Sequence, residues 1–286
     1  TVNRANADSA AFSNLALPQV TKFFAADGLA AYRIKSEIPA LTITASLGYG
    51  SLYETRDNAG ISSVLVKTIS LAGSKHFPGQ SLYRTIENVG GKIYFDASWE
   101  EITITISILD RYAETAFAII SDIIQNPVIE NESLSHARSL VKESIKRQRD
   151  MPHLVAFEAL REILFDGNGY GATPTEKSLN SINSESLNEI IRQHFTSGNT
   201  ILGISSSLEG AHLEKLAKKY FSGIRKGGRM RYGVNTKDLT EKLEKNAGKI
   251  FLIPRDIPQA TIAIGTIAPP LGYPEEFSIA SMNYIL

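Results

Sequence analysis

The chain of 286 residues contains no cysteine. That excludes a disulfide framework, a thiolate metal site and a cysteine nucleophile, and it leaves the redox compartment open. No run of about 18 apolar residues occurs, so no transmembrane helix is expected. Charge of neither sign prevails, since 30 Lys and Arg balance 30 Asp and Glu. Nothing therefore argues for nucleic acid or an acidic membrane surface as partner. A Gly-Lys-Ser phosphate loop and a Gly-x-Ser-x-Gly nucleophile elbow are both missing. The histidines are His76, His136, His153, His194 and His212, and none lies three or four residues from another. No helix thus presents two imidazoles to one metal, and surface or capping roles are expected for each.

What is present reads as alternating strands and helices. The polar opening, residues 1–13, begins with Thr1 rather than Met and reads as the flexible leader of a processed start, set at residues 1–19. Residues 29–35 and 41–48 read as strands linked at Pro39. Asn58 is placed to cap a helix that ends at Gly73, and a second helix over 80–89 stops at Gly90 and Gly91. Ile102, Ile104, Ile106 and Ile108 alternate with Thr103, Thr105 and Ser107, the period-two pattern of a strand with one buried face. Helical spacing returns over 113–125. It continues over 132–149, with Leu134, Leu140, Val141 and Ile145 as the inner stripe, and again from Pro152 to about residue 165. The Gly-rich stretch 166–175 reads as a plain connection. Helices near 184–195 and 209–221 bracket a strand over 200–205. The sum is an α+β fold, a layered sheet with helices packed on it, over residues 20–226.

Residues 227–247 are charged and poorly periodic and read as a linker. A repeat follows it. Tyr32 to Ile43 parallels Phe251 to Ile262 without gaps, each reading as strand, acidic turn, Ile-Pro and strand, through Ile38-Pro39 and Ile257-Pro258. A helix beginning near Glu275 sits at the offset of the helix near Asn58. The pattern is that of a duplicated domain whose second copy, 248–286, has only begun. About forty residues bury too little apolar surface to stand alone, so the copy is expected either to have been cut short or to be completed by something else.

Several stretches, in their order and spacing, resemble the pitrilysin and insulinase clan of zinc peptidases, and especially its mitochondrial processing peptidase branch. They are Asn58-Ala59-Gly60-Ile61-Ser62, Ile86-Glu87-Asn88-Val89-Gly90-Gly91, Ile123-Ile124-Gln125-Asn126-Pro127, Ala137-Arg138 and Asn283-Tyr284-Ile285-Leu286. Active members of the clan carry H-x-x-E-H on a helix and a glutamate on a later one. The two histidines bind zinc from one helix face, the later glutamate is the third ligand, and the motif glutamate activates water. Here Ser63 and Lys67 stand at the histidine positions, Val66 at the base and Ser144 at the third ligand. Glu143 is adjacent to Ser144 but about 100° around the helix. It is the nearest carboxylate on that helix for Lys67, although a solvent-facing Lys67 is the simpler expectation.

The resemblance therefore implies a non-catalytic member with no catalytic or metal residues of its own. It would pair with a homologous zinc-bearing subunit to enclose a peptide-processing chamber, and zinc is expected on that partner rather than on this chain. The strand at 92–98 corresponds to the edge strand along which the clan pairs with a peptide or unfolded polypeptide. Lys92, Tyr94, Asp96, Ser98 and the lone tryptophan, Trp99, are its candidate binding residues, with ordinary core packing as the alternative for Trp99. Two other readings stand beside this one: a structural core-type subunit of a larger complex, and an active zinc metallopeptidase with an unrecognised site. A processed start fits a bacterial periplasm, with the mitochondrion as the alternative.

Overall fold

The structure of the chain, a computed structural model, describes residues 18–166, 169–230, 241, 244–256, 258–270 and 272–285. Most of the expected leader, the middle of the expected linker, Gly167, Ile257 and Leu286 lie outside the described residues.

The strands are β1 (Val20–Ala26), β2 (Leu29–Lys35), β3 (Ala40–Leu47), β4 (Lys92–Ala97), β5 (Ile102–Leu109) and β6 (Thr200–Ser206). The helices are α1 (Ile61–Ala72), α2 (Gln80–Glu87), α3 (Ala113–Gln125), α4 (Asn131–Arg149), α5 (Pro152–Phe165), α6 (Glu176–Ser181), α7 (Ser184–His194), α8 (Gly210–Phe221) and α9 (Glu276–Ile285). The strands form one sheet in the order β1-β2-β6-β3-β5-β4. Its pairs are antiparallel except β2 with β6, which run parallel.

Side-chain alternation decides which face of the sheet is covered. In β5 all four isoleucines turn inward and are buried, and in β3 Leu41, Ile43, Ala45 and Leu47 do the same. Helices α3, α1 and α8 pack on that side, where Phe117, Leu65, Ile69 and Phe221 fill the interior. Each such side chain contributes about 1.5–3 kcal/mol on burial. The opposite face of β3 and β5 carries hydroxyls that bond across strands, Thr42 to Ser107 at 3.1 Å and Thr44 to Thr105 at 2.9 Å.

Several expectations need correction. Strand β1 and helix α6 escape a reading by periodicity, the first because Phe23-Phe24-Ala25-Ala26 does not alternate, the second because it spans barely two turns. A capping box at Thr175 and Ser178 secures that short helix. The inner stripe of α4 is Leu134, Ala137 and Val141, while Leu140 and Ile145 are half-buried. The two strands expected around Ile257-Pro258 are absent among the described residues, where 251–256 and 258–270 carry no strand. A strand pair without a third strand or a covering layer is marginal in water, and here Leu252, Ile262 and Ile264 remain exposed. The helix expected near Glu275 does form, as α9.

Candidate functional site

Helix α1 is buried almost all round. Ile61, Ser62, Val64, Leu65, Val66, Thr68, Ile69, Ser70 and Ala72 lie inside, and the solvent stripe consists of Ser63, Lys67 and half-buried Leu71. That i, i+4, i+8 stripe is one face of the helix. Ser63 and Lys67 thus face solvent together, and Val66 is turned into the core with 7 % exposure.

The start of α1 is held by a carboxylate a few residues upstream. Glu54, 3 % exposed, accepts from the Gly60 amide at 2.7 Å, the Ser62 amide at 2.9 Å and the Ser62 hydroxyl. This carboxylate satisfies the otherwise orphaned first-turn donors and lies at the positive end of the helix. Asn58 does not cap the helix as expected; its side chain accepts from the Thr55 amide and hydroxyl, closing the turn before it. Gly60, at φ 93°, is the N-cap, and an added Cβ there would come within 2.8 Å of Leu179.

Helix α4 packs against α1. Ser144 is half-buried on it, continuing the stripe through Ala137 and Val141. Glu143 is exposed and pairs with Arg147 at 3.8 Å, so it does not neutralise Lys67. Lys67 makes no ion pair among the described residues. No group of three His, Cys, Asp or Glu side chains converges in metal-binding geometry among the described residues.

Strand β4 forms one edge of the sheet and packs beside α1 and α2. Lys92, Tyr94 and Asp96 are exposed along it, and Ser98 is half-buried just past its end. The backbone there is fastened, with the Ser98 carbonyl accepting from Ser51 and the Trp99 carbonyl from Leu52 at 2.7 Å. Trp99 is 43 % exposed, so it is not an ordinary core residue. The Arg161 guanidinium lies over its ring at 4.8 Å, and the Tyr170 ring packs against it, tilted, with centroids 5.4 Å apart.

Tyr170 also contacts Phe165 and donates its hydroxyl to Glu100. Burial, then the Glu100 hydrogen bond and charge, push the Tyr170 phenol up. The Gly-rich stretch expected as a plain connection thus carries a 3₁₀ turn, Gly169–Gly171, which packs against α5 and the turn at Ser51–Tyr53 and donates from Gly169 to the Glu54 carbonyl. Glu54 and Tyr170 escape a reading by periodicity because neither belongs to a periodic element; the Glu54 partners lie only six and eight residues on, whereas Glu100 lies 70 residues from Tyr170.

The histidines divide by environment. His194 is buried, not at the surface as expected. It sits against Tyr49 at 4.5 Å and Tyr53 at 5.3 Å. Burial pushes its imidazole down, against a hydrogen bond with the Gly48 backbone, and Nδ1 has no hydrogen-bond partner among the described residues. His76 is exposed in its loop, with Nδ1 2.8 Å from Asp122. Burial would raise the Asp122 carboxyl, but hydrogen bonds with the His76 ring and backbone and with Asn126 outweigh it and hold the group low.

The described residues thus form a sheet layered with helices, with Ser63 and Lys67 on one exposed face of α1 and α4 packed against that helix. The chain belongs to the insulinase family of peptidases, M16: that family's model matches residues 31–176, and the M16 inactive-domain model matches residues 181–286. Among similar proteins, cytochrome b-c1 complex subunit 1 of Bos taurus mitochondria is 23 % identical over 91 % of this chain and 54 % of its own length. The uncharacterized zinc protease YmxG of Bacillus subtilis is 21 % identical over 87 % of this chain and 59 % of its own. The mitochondrial-processing peptidase subunit beta of Dictyostelium discoideum is 26 % identical over 62 % of this chain and 38 % of its own. The chain thus spans about half the length of the curated relatives it matches. A protease structure from Helicobacter pylori superposes with a TM-score of 0.70 at 13 % identity, covering 76 % of this chain and 53 % of that one, which supports the fold alone.

Proposed function

We propose that this chain is a catalytically silent M16 subunit that pairs with a zinc-bearing homologue and supplies one wall of a peptide-processing chamber. One observation carries the reading: the solvent stripe of α1 bears Ser63 and Lys67, with Val66 turned into the core, where the family frame calls for two imidazoles and a carboxylate. An ammonium and a hydroxyl cannot replace two neutral imidazoles on zinc. Ser144 on α4 removes the third ligand, so zinc belongs on the partner. The relatives include a processing-peptidase subunit, a class whose members carry alpha and beta designations. The exposed edge of β4, with Lys92, Tyr94, Asp96, Ser98 and Trp99, is where an extended peptide would add by main-chain hydrogen bonds.

The test is reconstitution with a homologue that retains H-x-x-E-H. The partner alone should cleave an unfolded polypeptide slowly, and adding this chain should raise kcat/KM at least about tenfold, a gain of roughly 1.4 kcal/mol in transition-state stabilisation. A partner equally active without this chain would remove the helper role. The 91 % coverage by cytochrome b-c1 complex subunit 1 favours a second reading, a structural core subunit. Purification with respiratory subunits and no effect on cleavage would select it. An active zinc metallopeptidase would require ligands other than these positions. Several relatives are mitochondrial by name, which favours the mitochondrion; the periplasmic expectation gains no support from them.

A further inference from the structure

Arg161 stands out among the cations of this surface because it lacks an acidic partner while being held in place. Its guanidinium carbon is 4.8 Å from the centre of the Trp99 ring, and its Nε is buried with no hydrogen-bond partner among the described residues. No ion pair reaches it among the described residues. The acids closest to Trp99 in sequence are engaged elsewhere, Glu100 by the Tyr170 hydroxyl and Glu101 by Ser46. A guanidinium stacked on an aromatic plane is pre-organised, and its free fork matches a carboxylate.

The position of this pair narrows the ligand. Trp99 lies just beyond the last residue of β4, Ala97, and β4 is one of the two edges of the sheet among the described residues. Chain rises about 3.3 Å per residue in a strand, so a peptide paired along β4 and continuing by about two residues comes alongside Trp99. We infer that Arg161, stacked on Trp99, forms a subsite for an acidic side chain near one end of an extended peptide added to β4. The inference rests on the peptide-binding reading of that edge and adds a charge preference to it.

Trp99 is the only tryptophan, so its emission reports on the subsite directly. The probes are eight-residue peptides of alternating Val and Thr, acetylated and amidated, with one Glu near either end, and their Gln counterparts. Titrations followed by Trp99 emission and by calorimetry should show one Glu peptide binding about tenfold more tightly than its Gln twin, the scale of a charge-assisted hydrogen bond. Raising the salt should shrink that ratio in the unaltered chain. Arg161→Met should bring it below about twofold, and Arg161→Lys should keep part of it, since the charge persists without the fork. Equal binding of the Glu and Gln peptides, or an undiminished ratio in Arg161→Met, overturns the subsite but leaves peptide addition to β4 intact. Failure of every peptide to bind overturns both.

Discussion

A carboxylate survives burial only where donors surround it, and Glu54 has three, on Gly60 and Ser62. Losing them frees the first turn of α1, the helix that presents Ser63 and Lys67. Glu54→Ala is expected to lower stability by about 2–3 kcal/mol, the cost of a lost cap plus unsatisfied buried amides, measured by urea unfolding. His194 yields a second expectation. Its unfolded pKa is near 6.5, and burial sets the folded value lower. Below about 6.5 the unfolded chain binds a proton that the folded chain resists, so stability falls as pH drops from about 7.5 to 5.5. In His194→Phe, which keeps an aromatic ring against Tyr49 and Tyr53, the loss over that range should be smaller. Asp122 acts in a separate window. Its lowered folded pKa contributes stability above the unfolded value of about 3.9, and that is lost as pH falls through the folded one.

At the scale of elements, the helix α1 is legible in the sequence because apolar residues surround it and Gly73 stops it. Gly73 adopts φ 73°, and an added Cβ would meet the Phe77 carbonyl oxygen at 2.2 Å. Gly73→Ala should therefore destabilise by more than about 2 kcal/mol in thermal or urea unfolding. Lys67 is the opposite case, exposed and unpaired among the described residues, so Lys67→Met should leave the unfolding free energy within about 0.5 kcal/mol. The alternating isoleucines of β5 announced their strand equally well. What periodicity could not convey is which strands meet: β6 enters between β2 and β3 from more than 150 residues away. Nor could local spacing reveal Tyr170, whose hydroxyl meets Glu100 only once the chain has folded back, while Glu54 acts locally but outside any periodic element. The repeat at 251–262 matches the first copy in sequence but not in structure, since a strand needs neighbours that the described residues do not provide.

For the whole molecule, the core runs from β1 to Ile224, just past α8, whereas Ile250, Leu252, Ile264, Phe277 and Tyr284 are largely exposed. Removing residues 248–286 should change the unfolding free energy by less than about 1 kcal/mol, because little apolar area there is withdrawn from water. The same deletion should reduce binding of a hydrophobic dye, and a large loss of stability would show packing that the structure lacks. We propose that α1 and α4 of this M16 fold carry Ser63, Val66, Lys67 and Ser144 where active members hold zinc. The decisive measurement is metal analysis of the purified chain after dialysis against equimolar zinc. It should find well under one zinc per chain, unchanged by Lys67→Ala or Ser144→Ala. One tightly held zinc that either substitution releases would refute the proposal.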